Sequence, residues 1–372
     1  MNDVNPAAIA TTVAWGGFAL AFIFGAVANK TNFCTMGAVS DMVNMGDWGR
    51  MRMWLLAIAV AILGSNGLQL AGVVDLSKSI YMGPNFPWLS YLVGGLTFGI
   101  GMTLGSGCAS KTLIRIGGGS LKSLVVFVFL GIAAYVTLKG LFGVFRVDVL
   151  DRVSIHLSTG QDLPSLLAKG FGADKKTMVM LASAIVAGLL LLFVFKDREF
   201  RHNFDGILGG VTVGLVVIGG WYVSGKLGYL AEDPNTLQEA FIATNSGRLE
   251  SLSFVAPQAY TLELLMFWTD TSRIVTFGIA SAIGVVAGSA AYAMASGTFR
   301  WESFRDPKDT ANHMIGGVLM GFGGVTAMGC TVGQGISGFS TLALGSMLVF
   351  LSIVAGAALT MKWQYARMLR EA

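Results

Sequence analysis

Three cysteines are the residues of this sequence best suited to chemistry, because each one ends a glycine-rich apolar segment. Cys34 lies in NFCTMGA, Cys108 in GSGCASKT and Cys330 in AMGCTVGQG. A buried, uncharged thiol is a weak S–H donor, which suits a polarisable sulfur atom better than a hard oxyanion. A single such cysteine is ordinarily interpreted as a small hydrophobic core residue. Three of them in parallel settings instead predict a pathway lined by thiols.

Two of these cysteines occupy equivalent positions of an internal repeat. The pattern GGxxxGxG, followed after five residues by GC, occurs at 94–108 and again at 316–330 in the same register. Glycines at four-residue spacing allow helices to approach closely. We expect the backbone of the pathway to be supported by four glycines of this repeat: Gly101, Gly107, Gly323 and Gly329.

The elements that position these residues are predicted to be membrane-spanning helices. The chain is 54% hydrophobic and only 12% charged, with a mean hydropathy of +0.67, which lies outside the soluble globular range. Nine stretches approach the roughly 20 apolar residues that cross a bilayer. They are 7–28, 52–72, 88–106, 121–141, 176–195, 204–224, 274–295, 313–329 and 341–361. The net charge of +4 fits the basic loops of a membrane protein, so no nucleic-acid partner is expected.

The nine spans divide into two halves of opposite orientation. Spans one to four and six to nine form the halves, and the fifth, at 176–195, joins them. One odd helix between two four-helix halves inverts the second half, and inverted repeats place a substrate near the membrane midplane. The predicted fold is an all-α integral membrane protein of about nine transmembrane helices with two inverted pseudo-repeats, shaped like an hourglass. We divide it into a first half (1–145), a linking loop and helix (146–203) and a second half (204–372).

Short, less apolar pieces follow each cysteine and cannot cross a bilayer. They are 35–44, 109–119 and 331–340. Irregular backbone at membrane depth is tolerated only where it lines a cavity or is buried in protein. We therefore predict three short re-entrant helices, each presenting one cysteine near its N-terminus. Backbone N–H groups and the helix dipole at such a position can hold an anion.

Loop charges predict the orientation of the chain by the positive-inside rule. The basic loops lie at 50–52, 111–122, 196–201, 300–308 and 362–370. Placing them in the cytoplasm puts the N-terminus outside and the C-terminus inside. The acidic segment 226–272 is then long enough for one or two amphipathic helices on the outer surface, which we expect to pack on the protein, with a cap over the entrance as the alternative. The aromatic and basic loop 299–305 is interpreted as an interfacial anchor, with docking of a cytoplasmic acceptor protein as the alternative.

Two other interpretations use the same residues. Residues 105–112 nearly spell a phosphate-binding loop, but Ser110 replaces its second glycine and an apolar helix precedes it. We therefore expect no enzyme activity, and Lys111 is interpreted as a cytoplasmic anchor together with Arg115. Thiolates and thioethers also select Cu(I), and several methionines lie near Cys34. Because the sequence has no CxxC motif and no histidine pair, we predict no metal site and no cofactor. Transport of a soft metal by the thiols and thioethers is kept as the alternative function.

The motifs resemble those of the YeeE/YedE family over essentially the whole chain. They are Asn32-Phe33-Cys34-Thr35 followed by Asp41, Phe86-Pro87-Trp88, and the two repeats that end in Cys108 and Cys330. Members of this family are sulfur-compound transporters, so the resemblance implies uptake of thiosulfate across the bacterial inner membrane. It also implies that Cys34, Cys108 and Cys330 relay the ion through S–H···S contacts, and that a cytoplasmic sulfur carrier of the TusA type is the partner. Other branches are assigned to selenium or other sulfur compounds, which stay open.

Two positions depart from the pattern of this family. Its members tend to have Gly-Gly-Cys at both later motifs, whereas Ser106 and Met328 replace the first glycine here. A bulky Met328 beside a constriction would narrow it or alter its selectivity. Asp41 is a candidate proton relay, with a boundary charge at the membrane edge as the alternative.

Overall fold

A computed structural model describes residues 5–234, 236–304 and 306–371. Within these residues the chain forms fifteen α-helices and two small antiparallel sheets, so the protein is all-α as predicted. The helices are α1 (Pro6–Lys30), α2 (Thr35–Ser40), α3 (Gly49–Leu70), α4 (Trp88–Leu104), α5 (Ala109–Gly117), α6 (Leu121–Lys139), α7 (Leu141–Phe145), α8 (Leu163–Phe171), α9 (Lys175–Lys196), α10 (Arg198–His202), α11 (Phe204–Tyr222), α12 (Ala256–Met266), α13 (Phe277–Ala295), α14 (Pro307–Thr326) and α15 (Leu344–Glu371).

Shorter elements complete the secondary structure of these residues. The strands are β1 (Asn85–Phe86), paired with β2 (Ile155–His156), and β3 (Tyr229–Leu230), paired with β4 (Ala240–Phe241). Four π-helical segments continue or replace α-helix at Asp41–Met45, Arg146–Leu150, Val223–Leu227 and Gly333–Gly338. One 3₁₀ turn covers Leu76–Lys78.

Eight helical stretches of the described residues are long and apolar enough to cross a bilayer, which makes the chain a multi-pass membrane protein. They are Pro6–Met45, Gly49–Leu70, Trp88–Gly117, Leu121–Lys139, Lys175–Lys196, Phe204–Leu227, Phe277–Ala295 and Leu344–Arg370. The ninth predicted span, 313–329, is instead α14, which begins earlier, at Pro307, and ends at Thr326. Lys308, Asp309 and His313 in its first turns lower its hydropathy. Because α14 packs between α4 and α6, its buried face is mostly glycine rather than large apolar side chains.

The helices of the two halves pack against each other in reciprocal pairs. Helix α1 packs on α13 and α3 packs on α11, while α4 packs on α15 and α6 packs on α14. A two-fold relation between the halves would make α1 correspond to α11, α3 to α13, α4 to α14 and α6 to α15. Under that relation the α1–α13 contact becomes the α11–α3 contact, and the α4–α15 contact becomes the α14–α6 contact, as observed. Helix α9 lies outside the exchange and packs on α3, as expected for the odd helix. The domain boundaries 1–145, 146–203 and 204–372 stay a prediction.

The two helices that carry the repeated motif cross at four glycines. A Cβ added to Gly94 would lie 2.8 Å from the carbonyl oxygen of Gly323, and a Cβ on Gly323 would lie 2.7 Å from that of Gly94. Gly101 and Gly316 approach each other in the same way, at 2.7 and 2.8 Å. An ordinary carbon–oxygen contact is about 3.3 Å or longer. Only glycine therefore lets α4 and α14 come this close.

Short helical segments follow all three cysteines, as predicted. Helix α2 begins at Thr35 and α5 begins at Ala109. Residues 331–340 are helical and contain the π-helical segment Gly333–Gly338. This last segment packs on α3, α11 and α15, whereas α5 packs on α13, α1 and α6, the corresponding helices of the other half.

The segment 226–272 contains one of the expected helices, α12, and part of the segment is buried. Phe254 and Val255, just before α12, are 0% and 1% exposed and belong to the core. Helix α12 packs on α6 and α13, as α2 packs on α15 and α3. It is therefore the counterpart of α2, and Val255 at its N-terminus stands where the first half has Cys34. One helix of the segment thus packs on the membrane-spanning helices, and its position on the outer side of the membrane stays a prediction.

Candidate functional site

Each cysteine follows the same type of helix end. Asn32, Ser106 and Met328 stand two residues before a cysteine and have φ angles of 52°, 56° and 58°. In each case the N–H of the next residue donates to the carbonyl five residues back, at 3.0, 3.0 and 2.7 Å. This is the Schellman closure, with a left-handed residue just beyond the helix end. Glycine tolerates that conformation best, which gives a physical reason for glycine where this chain has Ser106 and Met328.

The backbone of the next helix donates to two of the three sulfur atoms. Cys34 is the N-cap of α2, and the Gly37 N–H donates to its Sγ at 3.4 Å. Cys330 precedes the helical segment 331–340, and the Gly333 N–H donates to its Sγ at 3.3 Å. Since the backbone uses an acceptor position of each sulfur, the S–H proton is left to donate elsewhere.

Cys108 is the middle member of the group. It is the N-cap of α5, and its Sγ lies 3.3 Å from the Ser110 hydroxyl. Cys108 is close enough to both Cys34 and Cys330 to interact with each electrostatically. All three thiols are free and buried, with 7%, 1% and 0% of Cys34, Cys108 and Cys330 exposed. The structure therefore gathers the three predicted residues, without a disulfide.

A cavity of about 490 Å³ opens beside Cys34, and we call it the Cys34 cavity. Its charged lining, among the described residues, comprises Arg50, Lys111, Arg115, Arg300 and Glu302. Arg50 is held by Asp41, whose Oδ1 accepts from Nη2 at 2.7 Å. Asp41, the candidate proton relay, is thus a buried carboxylate in an ion pair. The cavity keeps an excess of positive charge, which suits an anion.

A second cavity of about 210 Å³ is lined by Met328 and Gly329, next to Cys330, and we call it the Met328 cavity. Tyr81 in its wall lies within electrostatic range of both Cys330 and Glu250. The Glu250 carboxylate accepts from the Ser246 N–H at 2.7 Å. Burial nevertheless raises the pKa of Glu250 above its ordinary value, because desolvation disfavours the charged form.

Met328 is placed at the wall of this cavity by a hydrogen bond from Tyr91. The Tyr91 hydroxyl lies 3.7 Å from the Met328 Sδ and itself accepts from the Gln161 amide at 3.3 Å. The Met328 side chain is 38% exposed, so it faces the open space rather than the core. That Met328 narrows a pathway beside a cysteine stays a prediction.

Two buried hydroxyls beside the cysteines have no hydrogen-bond partner in the part of the chain that the structure describes. They belong to Thr35 and Thr331, which directly follow Cys34 and Cys330. Leaving a buried hydroxyl unpaired costs about 1–3 kcal/mol. An anion with hard oxygens would provide the missing acceptors. Their place in the motifs was visible in the sequence, but nothing there showed that both hydroxyls lack partners.

The four glycines expected to support the pathway fall into two groups. Gly101 and Gly323 lie in the crossing of α4 and α14. Gly107 lies under the Lys111 side chain, since a Cβ at 107 would stand 3.3 Å from the Lys111 Cβ. Gly329 faces the Gln334 side chain and lines the Met328 cavity. Lys111, interpreted from the sequence as a cytoplasmic anchor, lines the Cys34 cavity.

A membrane protein built from two glycine-packed halves, with buried thiols between two cavities, has the organisation of a transporter. Comparison with known proteins agrees: the chain belongs to the sulphur-transport family, whose profile matches residues 30–359. The resemblance to the YeeE/YedE family is thereby confirmed, and the chain is a sulfur-compound transporter.

Two relatives match nearly the full length of the chain. The thiosulfate transporter TsuA of Spirochaeta thermophila is 25% identical over 356 residues, which cover 94% of this chain and 98% of the relative. The thiosulfate transporter TsuA of Escherichia coli is 25% identical over 330 residues, which cover 84% of each chain.

Proposed function

We propose that this chain takes up thiosulfate through a pathway lined by Cys330, Cys108 and Cys34. The observation that carries the proposal is the arrangement of three buried free thiols between two cavities, one at Gly329 and one at Cys34. The names of the two relatives favour thiosulfate among sulfur compounds. Passage by non-covalent contacts needs no cofactor and no chemical step, so we propose a transporter and not an enzyme.

The thiols would recognise the terminal sulfur of thiosulfate. Each S–H is a weak donor, and weak contacts let every position release what it binds. At Cys34 and Cys330 the backbone donates to the sulfur, so the S–H faces the ligand. The ion would move from Cys330 to Cys108 and then to Cys34 by exchanging one S–H···S contact for the next. No covalent bond forms or breaks in this sequence.

The oxygens of the ion need partners of their own. Moving a single charge into a dry interior carries an idealised cost on the order of 20 kcal/mol, and thiosulfate carries two. The hydroxyls of Thr35 and Thr331 and the N-terminal N–H groups of the short helices can offset part of that cost. Sulfate presents the same kind of oxygens but no terminal sulfur, so the thiols discriminate between the two ions.

The orientation and the partner follow from the charges. We propose that the Cys34 cavity faces the cytoplasm, since its basic residues obey the positive-inside rule, and that the Met328 cavity faces outward, with the N-terminus outside. The membrane is the bacterial inner membrane. A TusA-like carrier would receive the sulfur compound at the loop 299–305, where Trp301 is 74% exposed.

Growth on thiosulfate as the sole sulfur source tests this function. Bacteria that lack thiosulfate uptake would express the wild type, Cys34→Ala, Cys108→Ala or Cys330→Ala. Val255→Ala is the matched control, because Val255 is the buried counterpart of Cys34 in the other half and carries no thiol. We expect the wild type and the control to restore growth and all three cysteine variants to fail.

The other outcomes are informative as well. Growth of all three cysteine variants at the wild-type rate would contradict the thiol pathway. A wild type that reaches the membrane without restoring growth would remove thiosulfate as the substrate. Uptake of Cu(I) and of selenium compounds would then be measured, because Met36 and Met328 place thioethers at the two cavities beside the thiols.

A further inference from the structure

Lys111 is an uncompensated cation at the inner end of the thiol series. In the Cys34 cavity Arg50 is paired with Asp41, and Arg115 donates to the Ser106 carbonyl at 2.8 Å. Lys111 forms no ion pair with a carboxylate of residues 5–234, 236–304 or 306–371. Its electrostatic neighbours are the two thiols Cys34 and Cys108 and the two arginines.

The position of Lys111 in α5 is unfavourable for the helix itself. Because Cys108 is the N-cap, Lys111 is the third residue of α5. A cation in the first turn opposes the helix dipole, where a carboxylate would be stabilised by about 0.3–1 kcal/mol. Partial burial adds a desolvation cost. A charged residue at an unfavourable helix position, with no contact that compensates for it, is expected at a functional site.

The direction of the side chain places its charge beside the thiols. Helical side chains lean toward the N-terminus of their helix, and the Lys111 stem packs over Gly107, at the turn before Cys108. A side chain at position 107 would meet this stem. The ammonium is thus held where the Cys34 cavity reaches the buried thiols.

We propose that Lys111 and Arg115 form a binding site for a divalent sulfur oxyanion at the end of the thiol series. The two cations hold the oxygens of the ion while its terminal sulfur contacts Cys34. Arg300 and Glu302 also line this cavity, so its lining keeps more cations than anions. The proposal rests on the function proposed above in that thiosulfate is the ligand. The site draws the ion out of the thiol series and retains it in the Cys34 cavity.

Charged thiol reagents measure the electrostatic part of this site without any transport. The full-length Cys108→Ser/Cys330→Ser protein in nanodiscs keeps only Cys34. Anionic 2-sulfonatoethyl and cationic 2-aminoethyl methanethiosulfonate would be reacted with it, and the ratio of the two rates measured. The ratio is the useful quantity, because a change in Cys34 reactivity affects both reagents equally and cancels.

Lys111→Gln is expected to lower the anionic-to-cationic ratio by about tenfold, the effect of one charge at close range. Lys111→Arg should retain the ratio. Lys122→Gln is the matched control, since Lys122 is paired with Asp309 at 2.7 Å and does not line the cavity. If Lys111→Gln fails to fold, Arg115→Gln in the same background should lower the ratio in the same direction.

An unchanged ratio in Lys111→Gln or Arg115→Gln, with folded protein, would overturn the anion site. Thiosulfate uptake by the wild type, measured in parallel, tests the proposed function separately. A falling ratio with no thiosulfate uptake would keep the anion site and reject thiosulfate as its ligand. Uptake with an unchanged ratio would keep the transporter and reject the site.

Discussion

Replacing Gly101 by alanine is expected to force apart the two helices that carry Cys108 and Cys330. Helices α4 and α14 touch through their backbones at this point, and a Cβ at position 101 would stand 2.7 Å from the Gly316 carbonyl oxygen. It would stand equally close to the Met320 backbone nitrogen. Neither neighbour is a flexible side-chain tip that can turn away. The helices themselves must separate.

The size of the effect follows from these distances. An ordinary carbon–oxygen contact of about 3.3 Å requires α14 to retreat by roughly 0.6 Å. Overpacking of this kind costs about 1–3 kcal/mol, against which alanine recovers up to about 1 kcal/mol of helix propensity. Gly188→Ala in α9 is the control, because nothing lies within 4 Å of its new Cβ. The control gains the helix propensity of alanine without the overpacking. The unfolding free energies of the two variants should therefore differ by the overpacking cost, about 1–3 kcal/mol.

Thermal unfolding of the purified proteins in detergent measures this difference. At about 2 °C per kcal/mol for a large domain, Gly101→Ala should unfold about 2–6 °C below Gly188→Ala. Thiosulfate uptake by the folded fraction should also fall in Gly101→Ala alone, because the crossing positions Cys108 against Cys330. A Gly101→Ala protein that unfolds at or above the temperature of the control would refute the argument that backbone contact requires glycine here.

Three further predictions concern strain, charge and a buried hydrogen bond. Ser106→Gly should stabilise the protein by about 1 kcal/mol in thermal unfolding, since it relieves a left-handed residue; a lower unfolding temperature than that of Ser106→Ala would contradict this. Burial raises the pKa of Glu250, so the carboxylate takes up a proton as the pH falls through that raised value. Because the charged form repels a dianion in the Met328 cavity, uptake should increase as the external pH falls through that raised value, and Glu250→Gln should remove the dependence. Asn66 donates to the Ser340 carbonyl at 2.9 Å, so Asn66→Ala should cost about 1–3 kcal/mol of unfolding free energy, and a smaller loss measured by denaturant titration would mean that another group replaces the bond.

The helices and the breaks at the cysteines could be predicted from the sequence because length, apolarity and glycine spacing are local signals. The same signals placed a span at 313–329, where the structure has α14, but they missed its first residues, from Pro307. Its buried neighbours are the backbones of α4 and α6, and an added Cβ at Gly316 or Gly317 would lie within 3.0 Å of those backbones. A scale that measures affinity for lipid does not register a helix buried in this way.

The fourth short helix could not be found by searching for cysteines, since Val255 stands where the first half has Cys34. The available signal was the aromatic residue before it. Phe33 and Phe254 both contact Phe24, with ring centroids 6.4 and 5.5 Å apart. Both halves thus have an aromatic side chain packed on Phe24 just before the short helix. They differ in the next residue, which is Cys34 in the first half and Val255 in the second.

The role proposed for Lys111 depends on the direction in which its side chain points, and the sequence does not show that direction. Its sequence neighbours Ser110, Thr112 and Arg115 are typical of a polar loop at the membrane edge. In the structure α5 packs on α6 and α13, and its first turn begins directly after Cys108, which is its N-cap. The turn before α5 depends on the left-handed conformation of Ser106. A glycine at this position would have indicated the turn in the sequence more clearly.

The central claim is that the thiols, and not merely the space around them, carry the ion. Uptake of radiolabelled thiosulfate into proteoliposomes would be measured for the wild type, Cys108→Ser and Ala282→Ser, a control that adds a hydroxyl at another buried site. Serine keeps the size and a donor but removes the sulfur. We predict that Cys108→Ser lowers the rate by about tenfold or more, equivalent to about 1.4 kcal/mol, while the control retains it. Wild-type uptake by Cys108→Ser would contradict the account.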